Sequence, residues 1–302
     1  MTLHAYEAEQ EFSDDVSIPK GKIAKILDGQ HRLAGFLDKD GEYRHEVDLF
    51  GDFQMNVSLF VGADISVQAQ IFAKVNLAQT KVNRSLVYDL ESLAKTRSPF
   101  KTCHNVAVAL DEIADSPFYR RVKRLGVVTE GRSQETITQA AFVESLVRLI
   151  SKRPFEDRNR MLDGRTLPRP TSDELITNPF RGLFIDEADF DIAENVMNYF
   201  LAIKQRWPEA WADTSRQSGF LPKTNAFKAF MRYLKDSFPA LQENAGKKVV
   251  PVEHFATLFY HLDGLRDREL STKVFVPGGS GEAMFYRVLN GTLAPDALFE
   301  KT

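Results

Sequence analysis

The sequence predicts an α+β protein: a small mixed β/α domain at about residues 1–100, then a mostly helical region over 101–302. Three observations carry this. Residues with β character lie mainly in the first 65, apolar residues after them recur at helical spacing, and an aperiodic stretch from Lys152 to Pro179 reads as a long loop. A chain of 302 residues suffices for one large domain or two modest ones.

Taken in order, the apolar run Ile23 to Leu27 reads as a strand that breaks at Asp28-Gly29 and resumes at Leu33, Phe36 and Leu37 as a helix. In "QMNVSLFV", Gln54 to Val61, the residues Met55, Val57, Leu59 and Val61 alternate onto one face of a strand. Ser66 caps a helix running to about Val75, and "NLAQTKVN" reads as a turn. A second helix carries Val82, Leu86, Leu90 and Leu93 at helical spacing.

Beyond residue 100, amphipathic stripes follow one another: Val106, Leu110 and Ile113; Phe142, Leu146 and Leu149; Ile192, Val196, Phe200 and Ile203. Two more hold Phe227, Phe230, Met231 and Leu234, then Val252, Phe255, Leu258 and Leu262. They read as core-facing sides of packed helices. The Gly-rich "PGGSGEAMFYRVL", residues 277–289, lacks the Lys-Ser/Thr ending of a phosphate loop and reads as a flexible loop before a final helix.

Composition narrows the function. Hydrophobic residues make up 43% and charged ones 27%, a globular balance without a bilayer-spanning run. The acidic start "MTLHAYEAEQEFSDD" has no signal-peptide pattern, so a cytoplasmic protein is expected. Cys103 is the single cysteine, which excludes an internal disulfide and a Cys-based zinc site. A net charge of −3 argues against holding nucleic acid over the whole surface but admits a local basic face. Two segments offer one: "FYRRVKR", with Arg120, Arg121, Lys123 and Arg124, and the run holding Arg148, Lys152, Arg153, Arg158, Arg160, Arg165 and Arg169. Their bland alternative is a solvated face.

The chemistry concentrates in "KILDGQHRLAGF". Asp28 is placed to cap a helix from about Gln30, and Gly29 permits a positive φ or a close backbone approach. A helix N-terminus favours an anion, whereas His31 and Arg32 oppose the dipole there and gain from a bound phosphate. The same dipeptide recurs at Asp163-Gly164 and Asp263-Gly264 in plain contexts, so Asp-Gly by itself is a turn signal.

"DGQHR" between a strand and a helix resembles the signature of the DGQHR-domain family, a branch of the ParB/sulfiredoxin-like superfamily. "IFAKVNLAQTKVNRSLVYDLESL", residues 71–93, resembles that family's second box, and "SPFYRRVKRLG", 116–126, its Ser-Pro segment. The family includes DndB-type regulators of DNA phosphorothioation clusters and relatives encoded beside deazaguanine modification genes. The resemblance implies Gly29, Gln30, His31, Arg32, Asn76, Gln79 and Thr80 as phosphate- or nucleotide-binding residues, and Asp28 as cap, metal ligand or base. Gln79 and Thr80 stand where ParB proteins carry a Gln-Arg pair; the missing Arg speaks against a ParB-style CTP site. With 27 residues before Asp28, the lead-in is shorter than is usual in the family, which implies a trimmed sheet, one completed by another chain, or an incomplete reading frame at the start.

With a nucleotide on this turn, Arg32 clamps phosphate bidentately, His31 donates a hydrogen bond or moves a proton, and Asp28 and Asn76 supply hard oxygen ligands for Mg²⁺. Asp28 and His31 are then the candidate catalytic residues, and the set admits Mg²⁺-dependent NTP hydrolysis. The leading expectation is a nucleotide- or phosphate-binding protein of a bacterial DNA-modification or anti-phage defence system. The alternative is a non-enzymatic DNA-binding regulator using Arg120, Arg121, Lys123, Arg124, Lys152 and Arg153; a third is a scaffold whose turn is inactive. Expected partners are DNA, directly or through a complex, a nucleotide, proteins of the modification system and further copies of the chain, with no membrane.

Overall fold

The computed structural model describes residues 3–7, 10–16, 26, 29, 33–34, 57–60, 67–68, 71–72, 84–92, 96–215, 219–265 and 270–298, with backbone alone for 3–16 and 90–92. The chain divides by its contacts into residues 1–81 and 82–302.

In the first unit, β1 (Leu3–Glu7) and β2 (Gln10–Val16) form an antiparallel two-stranded sheet, pairing Leu3 with Val16 and Glu7 with Gln10. An irregularity between His4 and Tyr6 shifts the register. Backbone at 33–34, 67–68 and 71–72 is helical, in keeping with the helices expected after Gly29 and Ser66. One strand expectation fails, at residues 57–60. Residues 57–60 lie outside any strand, and Val57, Leu59 and Phe60 are all exposed, so the alternation there does not separate a buried face from a wet one. Ile26 is likewise non-strand and 57% exposed. Apolar alternation reports a strand only where a partner strand satisfies its backbone and a layer covers one face. Met55, Val61 and the rest of the 23–27 run lie outside the described residues.

The second unit is a helical bundle. α1 (Arg84–Ser92) packs on α2 (Pro99–Glu112) and α3 (Gln139–Ile150). α2 begins sharply because Ser98 Oγ accepts the Lys101 N–H at 3.1 Å and Pro99 fills the first helical position, where no donor is needed. Thr138 caps α3 in the same manner, through the Ala141 N–H. Between them, β3 (Val122–Lys123) and β4 (Ile137–Thr138) make a two-residue parallel pair, so β structure is not confined to the N-terminal part. α4 (Pro154–Leu162), α5 (Ser172–Thr177) and α6 (Arg181–Ile185) lead to the long α7 (Asp189–Arg206) and the short α8 (Pro208–Ala212). α9 (Thr224–Ala245) packs on α3 and on α11 (Gly279–Leu289), and α10 (Val252–Thr257) packs on α7.

The core is aromatic. Phe118, Phe142, Phe200 and Phe227 form a closed ring, with centroid separations of 4.7 Å for Phe118–Phe200, 5.2 Å for Phe118–Phe142, 5.0 Å for Phe142–Phe227 and 5.4 Å for Phe200–Phe227. Each such pair adds about 0.5–1.5 kcal/mol to the burial of its area. Every residue of the expected α7 and α9 stripes is buried, as are Phe142, Leu146, Leu149, Val106 and Leu110. Ile113 is exposed because it already caps α2, and the 252–262 stripe breaks after Thr257 into a 3₁₀ segment, Tyr260–Leu265.

Two stretches read as loops contain helix. α4 and α5 occupy much of 152–180, and neither buries a residue, so there was no apolar period to detect. Their signals are local: Pro154 at the start of α4, and a capping box in which Thr171 Oγ1 accepts the Glu174 N–H while Glu174 accepts the Thr171 N–H. α11 already includes Gly279 and Gly281. A Cβ on Gly281 would stand 2.0 Å from the Val276 carbonyl oxygen, so this glycine permits a backbone approach and does not loosen a loop.

Candidate functional site

At the opening motif the structure places Ile26, Gly29, Leu33 and Ala34; Asp28, Gln30, His31 and Arg32 lie outside the described residues, as do Asn76, Gln79 and Thr80. Gly29 has φ of 90°, a conformation that L residues rarely adopt. Its carbonyl accepts the Leu33 N–H at 3.1 Å, and Leu33 and Ala34 are helical. Gly29 therefore stands at the entry of a helical turn, with residues 30–32 between it and the first helical hydrogen bond.

The two other Asp-Gly pairs behave differently. Gly164, at φ 72°, follows Asp163 at the C-terminal end of α4, where a left-handed glycine ends a helix. Gly264 lies inside the 3₁₀ segment without a positive φ. Of the three, Gly29 is the one that opens a helical turn.

The first basic segment is largely engaged within the fold. Arg121 Nη1 donates to the Trp211 carbonyl at 2.9 Å, and its guanidinium lies over the Trp211 ring at 5.6 Å; burial pulls its pKa below the ordinary value. Arg124 pairs with Glu112 at 3.3 Å. Arg120 takes a left-handed backbone at φ 56°, its N–H held by the Asp111 carbonyl at 2.9 Å. The side chains of Arg120 and Lys123 have no partner among the described residues.

A buried acidic anchor, unremarked in the sequence, fixes this segment. Asp111 is fully buried; one carboxylate oxygen accepts the Val122 N–H at 2.9 Å and the other accepts from Arg132 at 2.6 Å. Arg132 also reaches Glu135 at 3.4 Å, and Glu135 accepts the Thr129 N–H at 2.6 Å. Nothing local in the sequence marks these residues, because the partners lie up to 21 positions apart and meet through the turn between α2 and α3.

The second basic segment lies at the other end of α3. β4 leads directly into the N-terminus of α3, and the 12-residue helix separates the two segments by about 18 Å at 1.5 Å per residue. Arg148 is in the last turn of α3, Lys152 and Arg153 follow it, and Arg158 is on α4. Arg153 pairs with Glu156 at 3.2 Å, both fully in water, and the exposed Arg148 and Lys152 side chains have no partner among the described residues. Arg160 donates to the Thr166 carbonyl, Arg165 faces Asp163, and Arg169 pairs with Asp186. Phe155, not singled out by the sequence pattern, is 59% exposed, with the Arg158 guanidinium 5.4 Å from its ring centroid.

Other reactive groups are inert in this setting. Cys103 is buried and its thiol pushed well up in pKa, mainly by burial. His104 is buried; Gln139 Nε2 donates to its Nδ1 at 2.9 Å. Among the described residues no group of three or more His, Cys, Asp or Glu is arranged to hold a metal, and no helix is long and apolar enough to cross a membrane. An open cleft of about 330 Å³ is lined by Gln205, Arg206, Tyr260 and Asp263, none of them an expected site residue.

No family model, no curated protein and no solved structure matches the chain. The class that the fold defines is a small β/α region followed by a largely helical one.

Proposed function

We propose that this chain is a phosphate- or nucleotide-binding protein of a bacterial DNA-modification or anti-phage defence system, with the DGQHR turn as its binding centre. The supporting observation is the backbone at Gly29: a left-handed glycine whose carbonyl receives the N–H of Leu33, which with Ala34 is helical. Free N–H groups at such a turn favour an anion. In this reading, Arg32 clamps phosphate, and Asp28 and Asn76 are the oxygen ligands for Mg²⁺ if the nucleotide is hydrolysed. The likeness to the DGQHR-domain family, and a ParB/sulfiredoxin-like fold for the first unit, belong to the same proposal.

The test is calorimetric titration with ATP, CTP and GTP in Mg²⁺, together with phosphate release. Wild type is expected to bind at least one, with Arg32→Ala abolishing binding and Asp28→Ala abolishing release. Gly29→Ala, which forces a Cβ into φ of 90°, is expected to weaken binding at a strain cost of about 1–3 kcal/mol. If no nucleotide binds, the reading fails.

A second reading, a non-enzymatic DNA-binding regulator, is favoured by Arg120, Lys123, Arg148 and Lys152, whose side chains have no partner among the described residues. It expects a complex with DNA whose affinity falls steeply with salt.

A further inference from the structure

We propose that the corner between α3 and α4 is a contact surface for single-stranded DNA, with Phe155 as its stacking platform. The inference rests on the second reading above, that the protein holds DNA, and does not require a nucleotide at the DGQHR turn.

α4 buries none of its residues, yet it is firmly held. Asp157 accepts from the Ser151 hydroxyl at the end of α3 and forms a two-pronged ion pair with Arg181 of α6, whose Nη2 lies 3.1 Å away. Those two side chains are only 13% and 10% exposed. The back of the Phe155 ring meets Phe100, centroid to centroid at 4.7 Å, while most of the ring remains in water. Among the described residues, α4 rests on the core through Met161 and Phe155 alone, and the rest of its side chains face water or the ion pair.

The charges say what this surface suits. Lys152 and Arg153, both exposed, stand three and two residues before Phe155 in the chain, exposed Arg148 lies in the last turn of α3, and the Arg158 guanidinium carbon lies 5.4 Å from the Phe155 ring centroid. Of the nearby acids, Asp157 is neutralised by Arg181, and Glu156 forms a pair in water that is worth little and yields to a phosphate. Cations beside an exposed flat ring fit a chain of phosphates with unstacked bases, because every base presents a π-face. A duplex hides those faces.

The experiment is fluorescence anisotropy of the full chain with a labelled oligothymidylate of about 20 nucleotides, and with a duplex of the same length, across a salt series. Wild type is expected to prefer the single strand, with a log–log salt slope near −2, from about −0.7 for each of three phosphate contacts at Arg148, Lys152 and Arg153. Phe155→Leu keeps an apolar group against Phe100 but removes the flat ring; affinity is expected to fall about 10-fold with the slope unchanged. The double variant Lys152→Glu, Arg153→Glu is expected to lower the slope by about 1.4, and melting curves check that both variants fold. Arg32→Ala is expected to keep single-strand affinity. Wild-type affinity in Phe155→Leu, equal binding of duplex, or equal competition by polyglutamate would each overturn the proposal. Loss of DNA in Arg32→Ala with retention in the Lys152/Arg153 variant moves the contact to the DGQHR turn and overturns this surface alone. No complex at low salt overturns the DNA reading as well, while nucleotide titration continues to report separately on the turn.

Discussion

The aromatic centre of the helical unit and the α4–α5 excursion are both helical, yet they are held by opposite means. Around Phe118, Phe142, Phe200 and Phe227, helices are fixed by what they bury, and their polar faces are free to vary. In α4 and α5 no residue is fully buried; a proline start, a capping box and the Asp157–Arg181 pair do most of the fixing, with Met161 and Phe155 resting against the core. The first arrangement stabilises the whole unit, since each ring touches several helices. The second contributes little to the core and keeps a charged, partly aromatic surface in a defined place.

Substitutions in the two regions should separate these roles. Phe200→Ala removes a fully buried ring that touches Phe118, Phe227, Trp211, Tyr199 and Phe230. It is expected to cost about 3–5 kcal/mol, read as a shift of the whole urea transition. Asp157→Ala leaves the buried Arg181 without its counter-charge and is expected to cost about 3 kcal/mol. Hydrogen exchange should show α4 opening well before α7; uniform exchange through both would mean that α4 is part of the cooperative core. Thr171→Ala removes one side of the capping box at an exposed helix and is expected to cost about 1 kcal/mol. That loss should appear as faster exchange within α5 and leave the global transition in place.

The smallest effect is a pH dependence. Burial holds the His104 imidazole below its ordinary pKa; nearby Asp89 opposes that, and Arg124 and Lys101 add to it. The Gln139 donor at Nδ1 also suits the neutral ring. Below about pH 6.5 the unfolded chain binds this proton more readily, so stability declines as pH falls and levels off once the folded-state pKa is passed. His104→Gln should flatten the urea-midpoint profile between about pH 7.5 and about pH 5.5. An unchanged profile would place the titration elsewhere.

How much could be read beforehand follows the same division. The stripes in α3, α7 and α9 were legible because burial imposes a period of 3.6 on the choice of residues. Those in α4 and α5 were not, since their signals are caps of a few residues inside a polar stretch. The strand reading at 57–60 shows the converse error, in which an alternating pattern has no covering layer to act on. At the candidate turn, the reading allowed Gly29 a positive φ or a close backbone approach, and its φ is 90°. The basic segments were visible as charge, but which cations the fold consumes was not: Arg121 is spent on Trp211, 90 residues away, whereas Lys152 is left in water.

By itself, then, the sequence determined the broad plan, the aromatic faces of the long helices, the glycine at the opening turn and the supply of positive charge. These follow from local periodicity, dihedral preference and composition, which each residue carries with it. The tertiary structure alone decided that Asp111 anchors the basic turn through Arg132 and Glu135, that Asp157 pins α4 through Arg181, and that Phe155 stands in water beside Arg158. Those outcomes depend on partners distant in the chain, because burial and ion pairing are settled by which surfaces meet in space.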